Sequence, residues 1–196
     1  MLKIPDGQIF CFLNGQSNET NRTKNGVYFS VMIFLFEAVI LCAVFTALIF
    51  ISMRDPLKVQ IYSYPPNIIH RVAEMGLIEK TEKPRLMEAL KRKWPAIILF
   101  GVVIGLQVNI INHADTFLLG FGISYGLWTI VDWYDALILD IGWFCHSKKV
   151  RIPGTEDMVK DYRDYWFHIK ASLIGMLLGF PTCLIAGAVC QLLSLT

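Results

Sequence analysis

The sequence predicts an all-α fold, an integral membrane four-helix bundle with a short amphipathic helical loop in the cytoplasm. Hydrophobic residues make up 55% of the 196 residues and charged residues only 17%, and the mean hydropathy is +0.50. A soluble domain of this size has too little interior for so much apolar surface. Four apolar stretches also approach or exceed the ~20 residues that cross the hydrocarbon of a bilayer. They are residues 27–53, 94–111, 116–144 and 171–193.

The spans follow one another in a single polytopic domain, residues 1–196. The second and third are joined by residues 112–115, which are too few for anything but a tight antiparallel hairpin. Glycines spaced four apart in the second span (Gly101, Gly105) and in the fourth (Gly175, Gly179) predict close helix packing within the bundle.

Residues 54–93 form the longer of the two extramembrane loops. The turn at residues 64–67 is expected to start a first helix with Asn67 as its cap, because Ile68, Val72 and Met75 then follow at helical spacing. A second is expected over residues 81–93, with an apolar face and several basic residues. Two interpretations of this second helix are open: it lies in the headgroup layer, attracted to anionic lipid, or it packs on the rest of the loop.

Basic residues predict the orientation. The loop at 54–93 holds nine Lys or Arg and the loop at 146–170 holds six, whereas the N-terminal tail holds three and the C-terminus none. Cytoplasmic loops carry the excess of Lys and Arg, so both loops are expected in the cytoplasm and both termini outside. The net charge of +2 is too small to indicate nucleic acid binding.

The third span carries three acids, Asp132, Asp135 and Asp140, although no Lys or Arg occurs from residue 94 to residue 147. At ~1.5 Å per residue, Asp132 and Asp135 lie within roughly 7 Å of the middle of the span, and Asp140 lies about 15 Å from it. Glu37, the one charged residue of the first span, has nearly the depth of Asp132. Carboxylates in hydrocarbon are costly and usually functional. Glu37, Asp132 and Asp135 are therefore the predicted cation- or proton-binding residues.

The alternative for these acids is structural, since a protonated carboxyl can hydrogen-bond to a neighbouring helix and hold its register.

A second polar group is expected at the cytoplasmic edge. His146 ends the third span and His168 precedes the fourth, at similar depth, while Asp140 and Glu156 are near them in sequence or in the connecting loop. Asp140, His146, Glu156 and His168 are candidate catalytic residues, and Asp140, His146 and His168 are candidate ligands of a divalent metal ion. Each histidine alone also suits a hydrogen-bonding role at the interface.

Lys148, Lys149 and Arg151 follow the third span and are predicted to bind an anionic lipid headgroup.

Three functions fit these patterns. The first is a small transporter or channel component, a homo-oligomer in the simplest case, that binds a cation or protons through Glu37, Asp132 and Asp135. The second is a membrane-embedded enzyme that acts on a lipid or other amphipathic substrate at the cytoplasmic face. The third is a non-catalytic subunit whose acids pair with basic residues of a partner helix. The deep acids without basic neighbours favour the first.

Overall fold

The computed structural model describes residues 6–54, 57, 61–78 and 86–195, with the backbone alone for residues 6–25 and 86–92. The fold is all-helical, at 82% helix, and the described residues contain no strand. The main helices are α1 (Asp6–Ser52), α2 (Pro66–Glu74), α3 (Leu86–Asn112), α4 (Phe117–Tyr134), α5 (Val159–Tyr162) and α6 (Tyr165–Leu193). A π-helix, Asp135–Phe144, continues directly from α4, and short 3₁₀ turns lie at Ile61–Ser63 and Lys148–Val150.

Within the described part of the chain, three helical segments are long and apolar enough to cross a membrane: Gly26–Ser52, Lys93–Asn112 and Val159–Leu193. Many of their large apolar side chains are exposed, among them Phe36, Leu99 and Leu177. Such a surface fits lipid rather than water. The predicted all-helical fold is confirmed, and three of the four predicted spans are candidate membrane-spanning helices. Residues 116–144 form α4 and the π-helix instead of one continuous α-helix.

Small residues bring α6 close to its neighbours. Helix α6 packs along both α3 and α4, and α1 contacts α4. A Cβ at Gly101 would lie 2.7 Å from Cβ of Ile185, and one at Gly105 would lie 2.7 Å from Cβ of Val189. Neither distance is possible for real side chains, so these glycines are what lets α3 lie against α6. The predicted packing role is confirmed for this pair.

The two long loops pack together into a small unit, the loop cap, which consists of residues 61–78 and 147–162. Its core joins the buried face of α2 to the end of the π-helix and the second loop: Ile61, Tyr64, Ile68, Val72, Phe144, Cys145, Val150, Ile152 and Tyr162. The hydroxyl of Tyr64 donates to the carbonyl of Val150 at 2.8 Å. Burial raises the pKa of the Tyr64 phenol, which keeps it a neutral donor. Because the loops touch, they lie at the same end of the helices.

The predicted separate helix over residues 81–93 is corrected in part. From Leu86 onward the backbone is continuous with the second span as α3, and residues 79–85 lie outside the described residues. Helix α3 runs through Pro95, which lies inside it. In the described part of the loop, α2 is amphipathic and turns its apolar residues Ile68 and Val72 into the loop cap; its N-cap is Pro65 and not the expected Asn67.

Candidate functional site

The third predicted span changes from an α-helix to a π-helix at Asp135, the second of its three acids. From Asp135 to Phe144 the backbone is a π-helix, and its last turn closes with the amide of Cys145 on the carbonyl of Asp140 at 2.9 Å. In this geometry residue i is bonded to residue i+5, so Asp135 and Asp140 are one hydrogen-bonded turn apart. Such segments are rare, short and often found at functional sites. The π-helix therefore aligns two of the three acids.

Asp132, the last acid of α4, faces α6. The Ser172 hydroxyl donates to Oδ2 of Asp132 in a short hydrogen bond. A Cβ at Gly175 would collide with Oδ1 of the same carboxyl, so this glycine leaves the space that the acid occupies. One turn earlier, the indole of Trp128 donates to the carbonyl of Gly175 at 3.2 Å and lies against Gly179. Ser172, Gly175 and Gly179 of α6 thus leave the space in which Trp128 and Asp132 pack against the helix.

Asp140 is paired with His168 at the end of the helices that meets the loop cap. Oδ2 of Asp140 lies 2.8 Å from Nδ1 of His168, whose side chain is only 2% exposed. The rings of Phe144 and Phe167 meet the imidazole edge-on, with centroids 5.5 and 5.2 Å away. The other ring nitrogen, Nε2, is buried and has no hydrogen-bond partner. His168 is therefore held by Asp140, and the buried Cys145 is a second side chain that interacts with it.

Asp135 connects the two pairs. It interacts electrostatically with Asp140, Asp132 and His168. Of these groups only His168 can carry a positive charge. We call Asp132, Asp135, Asp140 and His168 the acidic cluster. Its direct contacts are the hydrogen bond of Ser172 to Asp132 and the pair of Asp140 with His168, and Asp135 is their electrostatic neighbour.

Glu37 lies elsewhere. Its Oε1 accepts from Nε2 of Gln107 and its Oε2 accepts from Nδ2 of Asn112, each at 2.8 Å, and the residue is 6% exposed. In the described residues no hydrogen bond or ion pair links it to Asp132 or Asp135. The expected grouping of the three acids is thus replaced by two sites, because α1 turns Glu37 towards the far end of α3.

The other predicted site residues are placed on the surface. Nδ1 of His146 lies 2.9 Å from the carbonyl of Ile141, and its Nε2 lies 3.2 Å from the hydroxyl of Tyr165. Exposed Glu156 accepts from the amide of Gly154 at 2.9 Å, as the closing contact of a turn. The structure does not bring these two residues to the Asp140–His168 pair. Among the described residues no three His, Cys, Asp or Glu side chains converge in the way a metal site needs.

The basic residues after the third span are spread over the loop cap. Lys148 and Lys149 are exposed on a 3₁₀ turn. Arg151 is half-buried, with its guanidinium 5.9 Å from the centre of the Tyr162 ring. Their predicted role in headgroup binding stays a prediction.

The hydrogen bond of Ser172 to Asp132 was not predicted from the sequence. The available signal was the position of Ser172 three and seven residues before Gly175 and Gly179, on one face of α6. No protein-family model, curated protein or solved structure matches this chain. Its function is therefore inferred from the chemistry of the site: linked carboxyl, hydroxyl and imidazole groups in an apolar environment, all able to accept and release protons.

Proposed function

We propose that the chain is a transporter or channel component that carries protons, and that the acidic cluster is its proton path. The observation that supports this is the arrangement of the cluster on one segment: Asp132 accepts from Ser172, Asp140 is paired with His168, and Asp135, between them in the chain, is the electrostatic neighbour of both. Chains of Asp, Glu and His inside a membrane are the usual relays of pumps and transporters. Closely spaced carboxyls cannot all be ionised, so such a cluster shares protons.

The proposal includes a fourth membrane crossing. Helix α4 has 18 residues and so is about 27 Å long, close to the ~30 Å of hydrocarbon, before the π-helix adds its length. Helix α4 also packs on α6 and α1, which are of membrane-crossing length. With four crossings the loop cap lies at one end and both termini at the other. The excess of basic residues in the loops places the cap in the cytoplasm.

Protons are favoured over a metal ion by the partners the acids already have. Asp132 accepts from the hydroxyl of Ser172, and Asp140 is paired with the imidazole of His168. A proton passes between such groups one contact at a time, whereas a divalent cation needs several oxygens or nitrogens around one point.

The enzyme hypothesis has less support from the geometry. Of its four candidate residues, only Asp140 and His168 contact each other, while His146 and Glu156 face outward at separate places. The subunit hypothesis predicts that a basic helix of a partner protein pairs with the acids. The two hypotheses are distinguished by whether the purified chain conducts protons without a partner.

The test is proton flux through the purified chain in liposomes. Vesicles loaded with a pH-sensitive dye are given a potassium diffusion potential, and the internal pH is followed. Wild type is expected to acidify or alkalinise the lumen faster than empty vesicles, and Asp135→Asn to fall to the empty-vesicle rate because the middle of the relay no longer exchanges a proton. Glu74→Gln, in α2 of the loop cap where the side chain is 51% exposed, is the matched control and keeps the wild-type rate.

Flux by Asp135→Asn equal to that of wild type would contradict the proposed path. A wild-type rate no greater than that of empty vesicles would contradict conduction by this chain alone.

A further inference from the structure

A groove of about 330 Å³ opens on the side of the protein at the end of the helices opposite the loop cap. It lies between α1 and the hairpin formed by α3 and α4. Its walls are mostly apolar, including Phe29, Phe34 and Leu119, and its polar atoms come from Ser30, Asn112 and His113. The volume is at the lower end of the range of small-molecule sites.

Glu37 lies next to the groove, bonded to one of its lining residues, Asn112. Ser30, Phe34 and Glu37 occupy one face of α1, at positions i, i+4 and i+7. Asn112 lines the groove, and its amide nitrogen donates to Oε2 of Glu37 at 2.8 Å. The buried carboxyl is therefore one hydrogen bond from the groove.

One hydrogen-bond acceptor beside Glu37 has no donor. A carboxylate offers about four acceptor positions, and the amides of Gln107 and Asn112 occupy two of those of Glu37. Oδ1 of Asn112 is buried and has no partner. The hydroxyl of Ser30 donates to the carbonyl of Gly26 at 3.1 Å and so has no proton to offer. No Lys or Arg occurs in residues 26–53 or 94–147.

We propose that this groove binds an amphipathic ammonium ion. Its N–H groups would donate to Oδ1 of Asn112, which has no partner, and to the acceptor positions that Glu37 has left. Its apolar body would lie along Phe29, Phe34 and Leu119. A positive charge complements the buried carboxyl, and a cation also gains from the faces of aromatic rings. The site stands independently of the acidic cluster, from which Glu37 is separate.

Binding is tested with the protein in phosphatidylcholine nanodiscs, with empty nanodiscs subtracted. Radiolabelled dodecylamine is compared with dodecyltrimethylammonium, which keeps the charge and the chain but has no N–H, and with neutral dodecanol. The amine is expected to bind most tightly. Glu37→Gln should weaken amine binding at least about tenfold, since it removes a charge-assisted hydrogen bond of ~1.5–3 kcal/mol. Glu74→Gln, in α2 of the loop cap where the side chain is 51% exposed, is the control and should bind as wild type does.

A second variant covers the case in which Glu37→Gln does not fold. Leu119→Trp fills the groove from α4, where the leucine is 45% exposed, and leaves the amides on Glu37 in place. It is expected to lose amine binding. Amine binding by Leu119→Trp at the wild-type affinity would overturn the groove as the site. Equal affinity for the amine and for dodecanol would show a groove for apolar chains only, and equal affinity for the two ammonium ions would overturn the hydrogen-bond contribution. The readout is independent of proton flux, so failure of the relay leaves it unaffected.

Discussion

Replacing Gly179 by alanine tests whether the indole of Trp128 packs directly on α6, one turn from Asp132. A Cβ at this position would lie 2.5 Å from Cδ1 of Trp128 and closer still to Nε1, far inside contact distance. The indole is rigid and half-buried, so it must shift as a whole or push α4 away from α6. The same shift breaks its hydrogen bond to the carbonyl of Gly175.

The magnitude follows from three effects. Overpacking in a well-packed site costs ~1–3 kcal/mol, and the lost hydrogen bond costs ~0.5–1.5 kcal/mol. The change from glycine to alanine in a helix returns ~1 kcal/mol. The expected net loss in the free energy of unfolding is about 0.5–3.5 kcal/mol.

The assay is reversible unfolding in mixed micelles, with increasing sodium dodecyl sulfate and helicity followed by circular dichroism. Gly122→Ala is the matched control, because Gly122 lies in the neighbouring helix α4 and a Cβ there would meet nothing within 4 Å. It is expected to be neutral or to gain up to ~1 kcal/mol from helix propensity. If Gly179→Ala proves as stable as Gly122→Ala, the close packing of Trp128 on α6 is refuted.

Two further predictions concern the loop cap and the ion pair. Tyr162→Phe removes the oxygen that accepts from the buried amide of Ile152 at 2.9 Å and contacts Oγ1 of Thr155 at 2.8 Å. The loop cap should lose ~1–3 kcal/mol of stability, and the amides of residues 150–162 should exchange hydrogen faster. Tyr62→Phe, at a position 68% exposed, should leave exchange unchanged, and equal exchange in the two variants would contradict the role of the Tyr162 hydroxyl. Asp140→Ala and His168→Leu, combined in a double-mutant cycle of the same micelle unfolding, should give a coupling energy of ~0.5–3 kcal/mol. A coupling energy of zero would show that the 2.8 Å contact does not stabilise the fold.

The sequence predicted the fold class because a membrane span is a run of consecutive apolar residues, which can be read from the chain without knowing its tertiary contacts. Three of the four apolar stretches appear as helices of membrane-crossing length, at nearly the predicted places. The rise per residue of a helix is fixed, so the sequence could put Asp140, His146 and His168 in one polar group at the cytoplasmic edge, with the two histidines at similar depth. That Asp140 is the residue that pairs with His168 came from the structure.

The π-helix was not predictable in the same way. The residues from Asp135 to Phe144 have the apolar composition of any membrane helix, and an α-helical count puts consecutive residues 100° apart. The wider turn depends on packing against α6 and the loop cap, where Phe144 and Cys145 are buried. It changes which side chains share a face, so Asp135 and Asp140 are closer than that count implies.

Glu37 and His146 show the same limit. Depth grouped Glu37 with Asp132 and His146 with His168, but each residue faces a different neighbour from the one expected. Depth along a helix is set by counting residues, whereas the facing partner is set by how the helix is rotated about its axis.

The sequence alone thus determined that the chain is helical, that it is apolar enough for a membrane, and that its acids lie where no basic residue of the same spans can neutralise them. Only the tertiary structure decided that Asp132, Asp135, Asp140 and His168 are one cluster and that Glu37 belongs to another site. The physical reason is that hydropathy and rise per residue are local properties. Hydrogen bonds require two side chains to meet within about 3 Å, and that depends on the rotation, helix type and close packing of separate helices.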